Sequence, residues 1–340
     1  MCVLAAYLGD KPAAPTLLDM LEREEGLGGG FYTGLATIHE GKLHWAKLVG
    51  DVARLREETD AASLPGHIGI AHSRTPSGGD REWSHPFIGN AEMLAYVANG
   101  AEGMFQGRTD WVAAGNGLLE GGYRFRSGAG EAIGPYPTLA DGRCVHFSEI
   151  MCLLIEENLR QGDDLLGASG RAFQDWPAEI VALTLCAADD AHFVAMRINQ
   201  PLMIGRCEGA VCAATTSLAF PPGMDWQMAM PPNAAARVGR EGLEVVPFTG
   251  CVPAADMPSV EAVHETLLPA LRREPQTIGG MCNLITPLWP EGRLPQSAML
   301  VYQTVAGLAA AGRVELVTET VPGMFGEGTA PRTRVRWVGD

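Results

Sequence analysis

Met1-Cys2-Val3-Leu4-Ala5-Ala6-Tyr7-Leu8 opens the chain, and the reading of its second residue decides how the rest is understood. A methionine followed by a small residue is ordinarily trimmed in the cytoplasm. Trimming leaves Cys2 first, with a thiol and a free α-amine on one residue. A thiolate is the strong nucleophile of cysteine chemistry, and an α-amine titrates near about pH 7.7–8.0. A terminal Cys can therefore carry nucleophile and base without a His partner. Taken alone, Cys2 reads first as the small buried hydrophobe that most free cysteines are. Cys2 to Leu8 reads as a short buried strand, which would hold a nucleophile rigidly at a strand end. It stops at Gly9-Asp10-Lys11-Pro12, too short for a signal sequence and without a basic leader.

The 340 residues, 46% apolar and 19% charged, suit a globular protein of about two domains. A net charge of −15 argues against a general nucleic-acid binder. No stretch approaches the length of a membrane span. Eight cysteines are scattered with no Cys-x-x-Cys and no zinc-type spacing. This usage suits a reducing cytoplasm, and no metal or cofactor is expected.

Downstream of Tyr7-Leu8, Thr16-Leu17-Leu18-Asp19 reads as a capping-box-like helix start, with Leu17, Leu18 and Leu21 on the core face. Gly26 and Gly28-Gly29-Gly30 stop that helix. Phe31–His39 and Lys42–Leu48 read as a hairpin around Glu40-Gly41. His67–Ser73 is a strand that delivers Arg74 to a loop, and Met93–Ala98 a strand ending at Asn99-Gly100. Residues 101–145 are glycine-rich and read as long loops. Ser148–Arg160 has helical spacing, with Ile150, Leu153 and Leu154 inward and Glu149, Glu156 and Glu157 outward. Ile180–Leu185, His192–Ile198, Leu202–Arg206 and Ala210–Thr215 read as consecutive strands, followed by short ones at Trp226–Met230, Arg237–Gly239 and Glu244–Pro247. A boundary is expected in Thr249–Pro258. Beyond it come helices over Val260–Leu271 and Gln296–Ala311 and a hairpin of Val314–Val321 with Thr333–Val338, an order like that of a winged helix. Arg332, Arg334 and Arg336 would line one face of its last strand, more simply a charged guard on a strand edge than a nucleic-acid surface.

Three further stretches bear on Cys2: His72-Ser73-Arg74-Thr75-Pro76-Ser77-Gly78-Gly79, Ser84-His85-Pro86-Phe87 and Val97-Ala98-Asn99-Gly100. With Cys2 they resemble the class II glutamine amidotransferases, the N-terminal-nucleophile family that includes the glutaminase half of glucosamine-6-phosphate synthase. The order of motifs is the family's, and Arg74 and Asn99 lie 25 residues apart, close to the family separation. The motif-bearing likeness covers about residues 2–100; a looser one in strand pattern runs to about 248.

That resemblance implies hydrolysis of the glutamine side-chain amide. Cys2 would form a γ-glutamyl thioester, and its α-amine would shuttle the proton. Asn99 and Gly100 would hold the oxyanion. Arg74 would clamp the substrate carboxylate with its bidentate fork. Ser77 would stand near that carboxylate in place of a Thr, and His85 would shape the pocket as an orienting rather than catalytic group. His72 reads as buried in its strand rather than reactive. Departures from the pattern are Val3 for the usual Gly, Thr75 for the loop Trp, Gly78 for a His and, by helix alignment, Phe147 for the Asp that binds the substrate amine. Glu149 and Asp141 are the candidates to replace that Asp.

The fold these readings imply is α+β. Residues 1–250 would form a four-layer αββα N-terminal-nucleophile hydrolase sandwich, and residues 251–340 a small helix-helix-hairpin appendage. The implied activity is glutamine amidotransferase-type hydrolysis of glutamine or another γ-glutamyl amide, with ammonia passing to a synthase partner chain, to the tail or to solvent. The alternatives are an acylase of the same fold and a non-catalytic ligand sensor. A cytoplasmic protein that binds neither nucleic acid nor membrane, and that is able to form a homo-oligomer, completes the reading.

Overall fold

Alternation along the opening strand separates the layers. Leu4, Ala6 and Leu8 join one apolar cluster with Ile68, Ile70, Val97, Val181 and Leu183. Val3, Ala5 and Tyr7 join a second with Leu17, Leu18 and Leu21. One strand thus faces a partner sheet on one side and a helix on the other, because successive strand side chains point to opposite faces.

The computed structural model describes residues 1–128, 134–250, 256–323 and 328–339. In chain order, β1 (Val3–Gly9), α1 (Ala13–Glu24), β2 (Tyr32–His39), β3 (Lys42–Val49), α2 (Val52–Glu58) and β4 (Ile68–Arg74) come first. Next are β5 (Phe87–Ile88), β6 (Leu94–Ala101), α3 (Trp111–Glu120), α4 (Phe147–Arg160), α5 (Leu165–Asp175), β7 (Glu179–Cys186) and β8 (Asp189–Arg197). Then follow β9 (Met203–Cys207), β10 (Ala210–Ala214), β11 (Trp226–Ala229), β12 (Ala234–Gly239) and β13 (Gly242–Pro247). The remainder is α6 (Val260–Arg273), α7 (Ile278–Ile285), α8 (Ser297–Ala310), β14 (Val314–Pro322) and β15 (Thr329–Trp337).

One sheet runs β11-β9-β10-β1-β4-β2-β3 and the other β13-β12-β8-β7-β6-β5. All their strand pairs are antiparallel. Leu4, Ala36, Ile70, Val97, Leu183 and Phe193 fill the space between the sheets. Helix α1 covers the outer face of the first. Helices α3, α4 and α5 cover the outer face of the second through Trp111, Leu118, Ile150, Leu153, Leu166 and Phe173. This is the four-layer αββα sandwich expected from the sequence.

The strands follow the expected order with ends shifted by up to four residues, and the helices depart too. Helix α1 begins at Ala13, a turn earlier than read, behind Pro12. Thr16 does not cap it; its hydroxyl donates to the Pro12 carbonyl instead, the back-bonding open to Thr inside a helix. Residues 101–145 contain α3, whose Gly115 and Gly117 lower its helix propensity. Asp110 fixes its start by accepting from the Ala113 N–H. Asp164 and Thr277 do the same for α5 and α7, two further helices outside the sequence reading. On α4, Glu149 and Glu156 are buried rather than outward. Glu149 accepts from the Arg126 and Ser127 amides and the Ser127 hydroxyl. Glu156 accepts from the Asn90 and Ala91 amides. Loops that pass under a helix leave donors that need acceptors, and a paired carboxylate can be buried for that purpose.

The C-terminal elements share their own cluster, with Val263, Leu267, Met281, Tyr302 and Val335 at its centre and Leu27 entering from the loop after α1. Three helices, not two, precede the hairpin. The expected boundary region falls partly on residues 251–255, outside the described residues. Arg334 and Arg336 face Glu319 and Glu315 across the hairpin. Among the described residues no helix is long and apolar enough to cross a membrane.

Candidate active site

The start of the chain is seated by the loop that follows α1. The Gly29 N–H donates to the Met1 carbonyl at 2.8 Å, and the Gly30 N–H to the Ser73 hydroxyl at 2.8 Å. A Cβ on Gly28 would stand 2.6 Å from the Met1 oxygen, and one on Gly29 2.6 Å from the Ser73 oxygen. The three glycines therefore do more than end a helix: they let the backbone approach the N-terminal segment.

Below them Glu25 is buried. It accepts from the Ser73 hydroxyl at 2.6 Å and from the Val52 N–H. Burial pushes its carboxyl up to about 7, against the pull of those donors. Because the folded pKa lies above the ordinary 4.5, the folded chain holds the extra proton. That stability is complete below pH 4.5 and is lost as pH rises through about 7. Glu25→Gln, which cannot ionise, should remove about 3 kcal/mol of this decline. Urea unfolding from pH 4.5 to 8 checks it, and equal declines in both proteins would refute the assignment.

Packing of one sheet on the other brings Cys2 to Asn99. Cys2 shares the inter-sheet face of β1 with Leu4, and Asn99 shares that of β6 with Ala95 and Val97. The Asn99 side-chain amide donates to the Cys2 carbonyl at 3.2 Å and to the Thr215 hydroxyl at 3.3 Å. Thr215 in turn accepts from the Leu4 N–H. Asn99 and Gly100 form no turn; they pair with Val181 and Ile180 inside the β6–β7 ladder. Gly100 has φ +122°, and a Cβ there would meet the Glu179 carbonyl at 2.1 Å. Only glycine fits.

A cavity of about 310 Å3 opens beside these groups, lined by Cys2, Thr75, Asn99, Gly100, Glu179 and Gln200 among others. Cys2 is half-buried, with its sulfur 3.5 Å from the Thr75 hydroxyl. Burial alone would raise its thiol. His72 beside it, then the amino terminus and Arg74, outweigh that and bring it to about 6.

Arg74, Ser77 and His85 do not line this cavity. Arg74 is buried, donating to the Trp83 carbonyl and the Tyr136 hydroxyl, with its guanidinium over the Tyr32 and Trp83 rings. The Ser77 hydroxyl is buried without a partner. His85 stacks obliquely on His72, ring centres 4.1 Å apart. Burial, reinforced by His72, His146 and nearby cations, holds His85 well below the ordinary imidazole value, so it is neutral. Phe147 packs on Tyr136 and His146. Neither candidate for the missing Asp reaches the cavity. Glu149 serves the Ser127 loop, and Asp141 pairs with Arg143 at the surface.

The acid in the cavity wall is Glu179, which the sequence reading missed. It accepts from the Met104 N–H at 2.7 Å and the Asn199 amide at 2.6 Å. Its place is set by pairing with Ala101 across the β6–β7 ladder. No local pattern carries such a long-range partner; the one available signal is an acidic residue at the head of an apolar strand.

No protein-family model matches the chain. The isomerizing glutamine–fructose-6-phosphate aminotransferase of Thermosynechococcus vestitus is 27% identical over 252 residues, 74% of this chain and 37% of that protein. The Pyrococcus horikoshii enzyme of the same name is 28% identical over 222 residues, 65% of this chain and 33% of that one. The chain thus spans about a third of the length of these curated relatives. Among solved structures, glutamine phosphoribosylpyrophosphate amidotransferase from B. subtilis superposes with a TM-score of 0.60 at 16% identity, over 90% of this chain and 64% of that one. The chain is thus similar to class II glutamine amidotransferases, in sequence over about three-quarters of its length and in fold.

Proposed function

We propose that this protein hydrolyses the side-chain amide of glutamine, or of another γ-glutamyl compound, through a thioester on Cys2. The observation that carries the reading is a low-pKa thiol beside an Asn-Gly pair, with a cavity between them. The sulfur attacks the amide carbon, the C–N bond breaks, ammonia departs and water then cleaves the thioester. Asn99 and Gly100 lie next to the position where the carbonyl oxygen gains charge, where fixed donors act most strongly. The α-amine of a trimmed Cys2, a residue that lines the same cavity, would return the proton to ammonia. The acceptor of that ammonia is a synthase partner or solvent.

Glu179 gives the cavity a carboxylate suited to the substrate's ammonium, the place left open by Phe147. Arg74 is proposed as the carboxylate clamp, with a substrate oxygen replacing the Tyr136 hydroxyl on its fork. Arg74→Ala should then raise KM about tenfold or more with kcat changed little, since a ground-state contact is lost. Steady-state kinetics with glutamine decide this; an unchanged KM would reduce Arg74 to a strut for the Trp83 loop. The reading as a whole is tested by ammonia release from glutamine, measured in parallel on the wild type and a Cys2 variant.

A further inference from the structure

His72 is a buried titratable group that the reaction above leaves unused. On β4 it lies opposite Leu4, and the alternation of β1 puts Cys2 on the same face. Its ring is fixed at one end, where Nε2 is 2.9 Å from the Ala98 carbonyl oxygen. A carbonyl only accepts, so Nε2 carries the proton and Nδ1 is the basic nitrogen. Nδ1 is buried without a hydrogen-bond partner. An unsatisfied buried acceptor costs about 1–3 kcal/mol, and a nearby thiol proton would relieve that.

We propose that His72 is the base that holds Cys2 as a thiolate. Nδ1 takes the proton, the S–H bond breaking as the N–H bond forms, and the imidazolium keeps its other proton on Ala98. No other reactant is needed. This deepens the assignment of Cys2 as the nucleophile but does not depend on a free α-amine, which is then available to the departing ammonia.

The charges around the pair favour it. Arg74 on the same strand and the amino terminus oppose an imidazolium but favour a thiolate. His85 and His146, packed against His72 and each other, are kept neutral by burial and add no repulsion. Glu179 in the cavity wall, and Glu24 and Tyr302 from α1 and α8, are acids and oppose a second negative charge. Burial raises Tyr302 and Glu24 above their ordinary values, which leaves Tyr302 neutral near pH 7. Among the groups that lower the Cys2 thiol, His72 comes first.

The test is alkylation of Cys2 by iodoacetamide against pH, read on the Cys2 peptide by mass spectrometry. It is run on the native chain, on a chain extended by a few residues before Met1, and on His72→Gln. Met1 is exposed, so the extension has room. Glutamine can keep a donor on the Ala98 carbonyl but has no basic nitrogen. Native and extended chains should both inflect at least about one pH unit below the ordinary thiol value near 8.5. His72→Gln should slow Cys2 labelling at pH 6.5 about tenfold, with labelling of the half-buried Cys207 at the end of β9 unchanged. An extended chain that inflects at the ordinary thiol value overturns the proposal, even if the variant does not fold. So does unchanged Cys2 labelling in folded His72→Gln. Labelling needs no glutamine turnover, so loss of the His72 effect with hydrolysis intact leaves the proposed function standing, and the reverse result leaves the base standing.

Discussion

Cys2→Ala is expected to lower kcat for ammonia release from glutamine by at least about a thousandfold, the scale on which removing a nucleophile acts. Stability should stay within about 1 kcal/mol of the wild type. The reason lies in the contacts. Cys2 is half-buried at a cavity wall, and the one side-chain hydrogen bond described for its sulfur is the 3.5 Å contact with Thr75. The chain start is held by backbone groups, the β1 ladder to β4 and β10, and these survive the change. A coupled ammonia assay together with a thermal melt separates chemistry from folding. Equal ammonia release from the two proteins would end the nucleophile assignment, whatever the melt shows.

Asn99→Ala should cost about a hundredfold or more in kcat with KM changed little, since the proposed reading turns its amide onto the developing oxyanion, where a donor acts in the transition state. It should also destabilise the chain by about 1–2 kcal/mol. The Cys2 carbonyl and the Thr215 hydroxyl would each lose a buried donor. Both outcomes are needed. A fall in melting temperature with kcat intact would make Asn99 a tie between the sheets and nothing more. Gly100 cannot serve as a milder probe, because any side chain there collides with the Glu179 backbone.

How much of this was legible beforehand varied by residue. Leu17, Leu18 and Leu21, spaced for one helical face, are fully buried as read. The hairpin around Glu40-Gly41 has its turn in place, with both residues at positive φ. Helix α3 was not legible, since two glycines mask a helix whose start rests on one Asp cap. Glu149 and Glu156 misled, because an outward-looking charge is the default and their partners are loop amides far away in sequence. His72 was read as buried in its strand, and it is; that its ring borders the Cys2 sulfur depends on register between strands.

The sequence by itself determined the alternation of the strands, the positions of the glycine seats and the chemistry that Cys2, Arg74 and Asn99 could carry. Those properties belong to single residues and their near neighbours, where sterics and side-chain type act directly. Only the tertiary structure decided which side of Thr75 each group occupies: Cys2, Asn99 and Glu179 at the cavity, Arg74 and His85 behind it among aromatic rings. That division is fixed by the pairing of β1 with β4 and of β6 with β7 and by the packing of one sheet on the other. Such contacts join residues far apart in the chain, and their free energy comes from burying both faces at once.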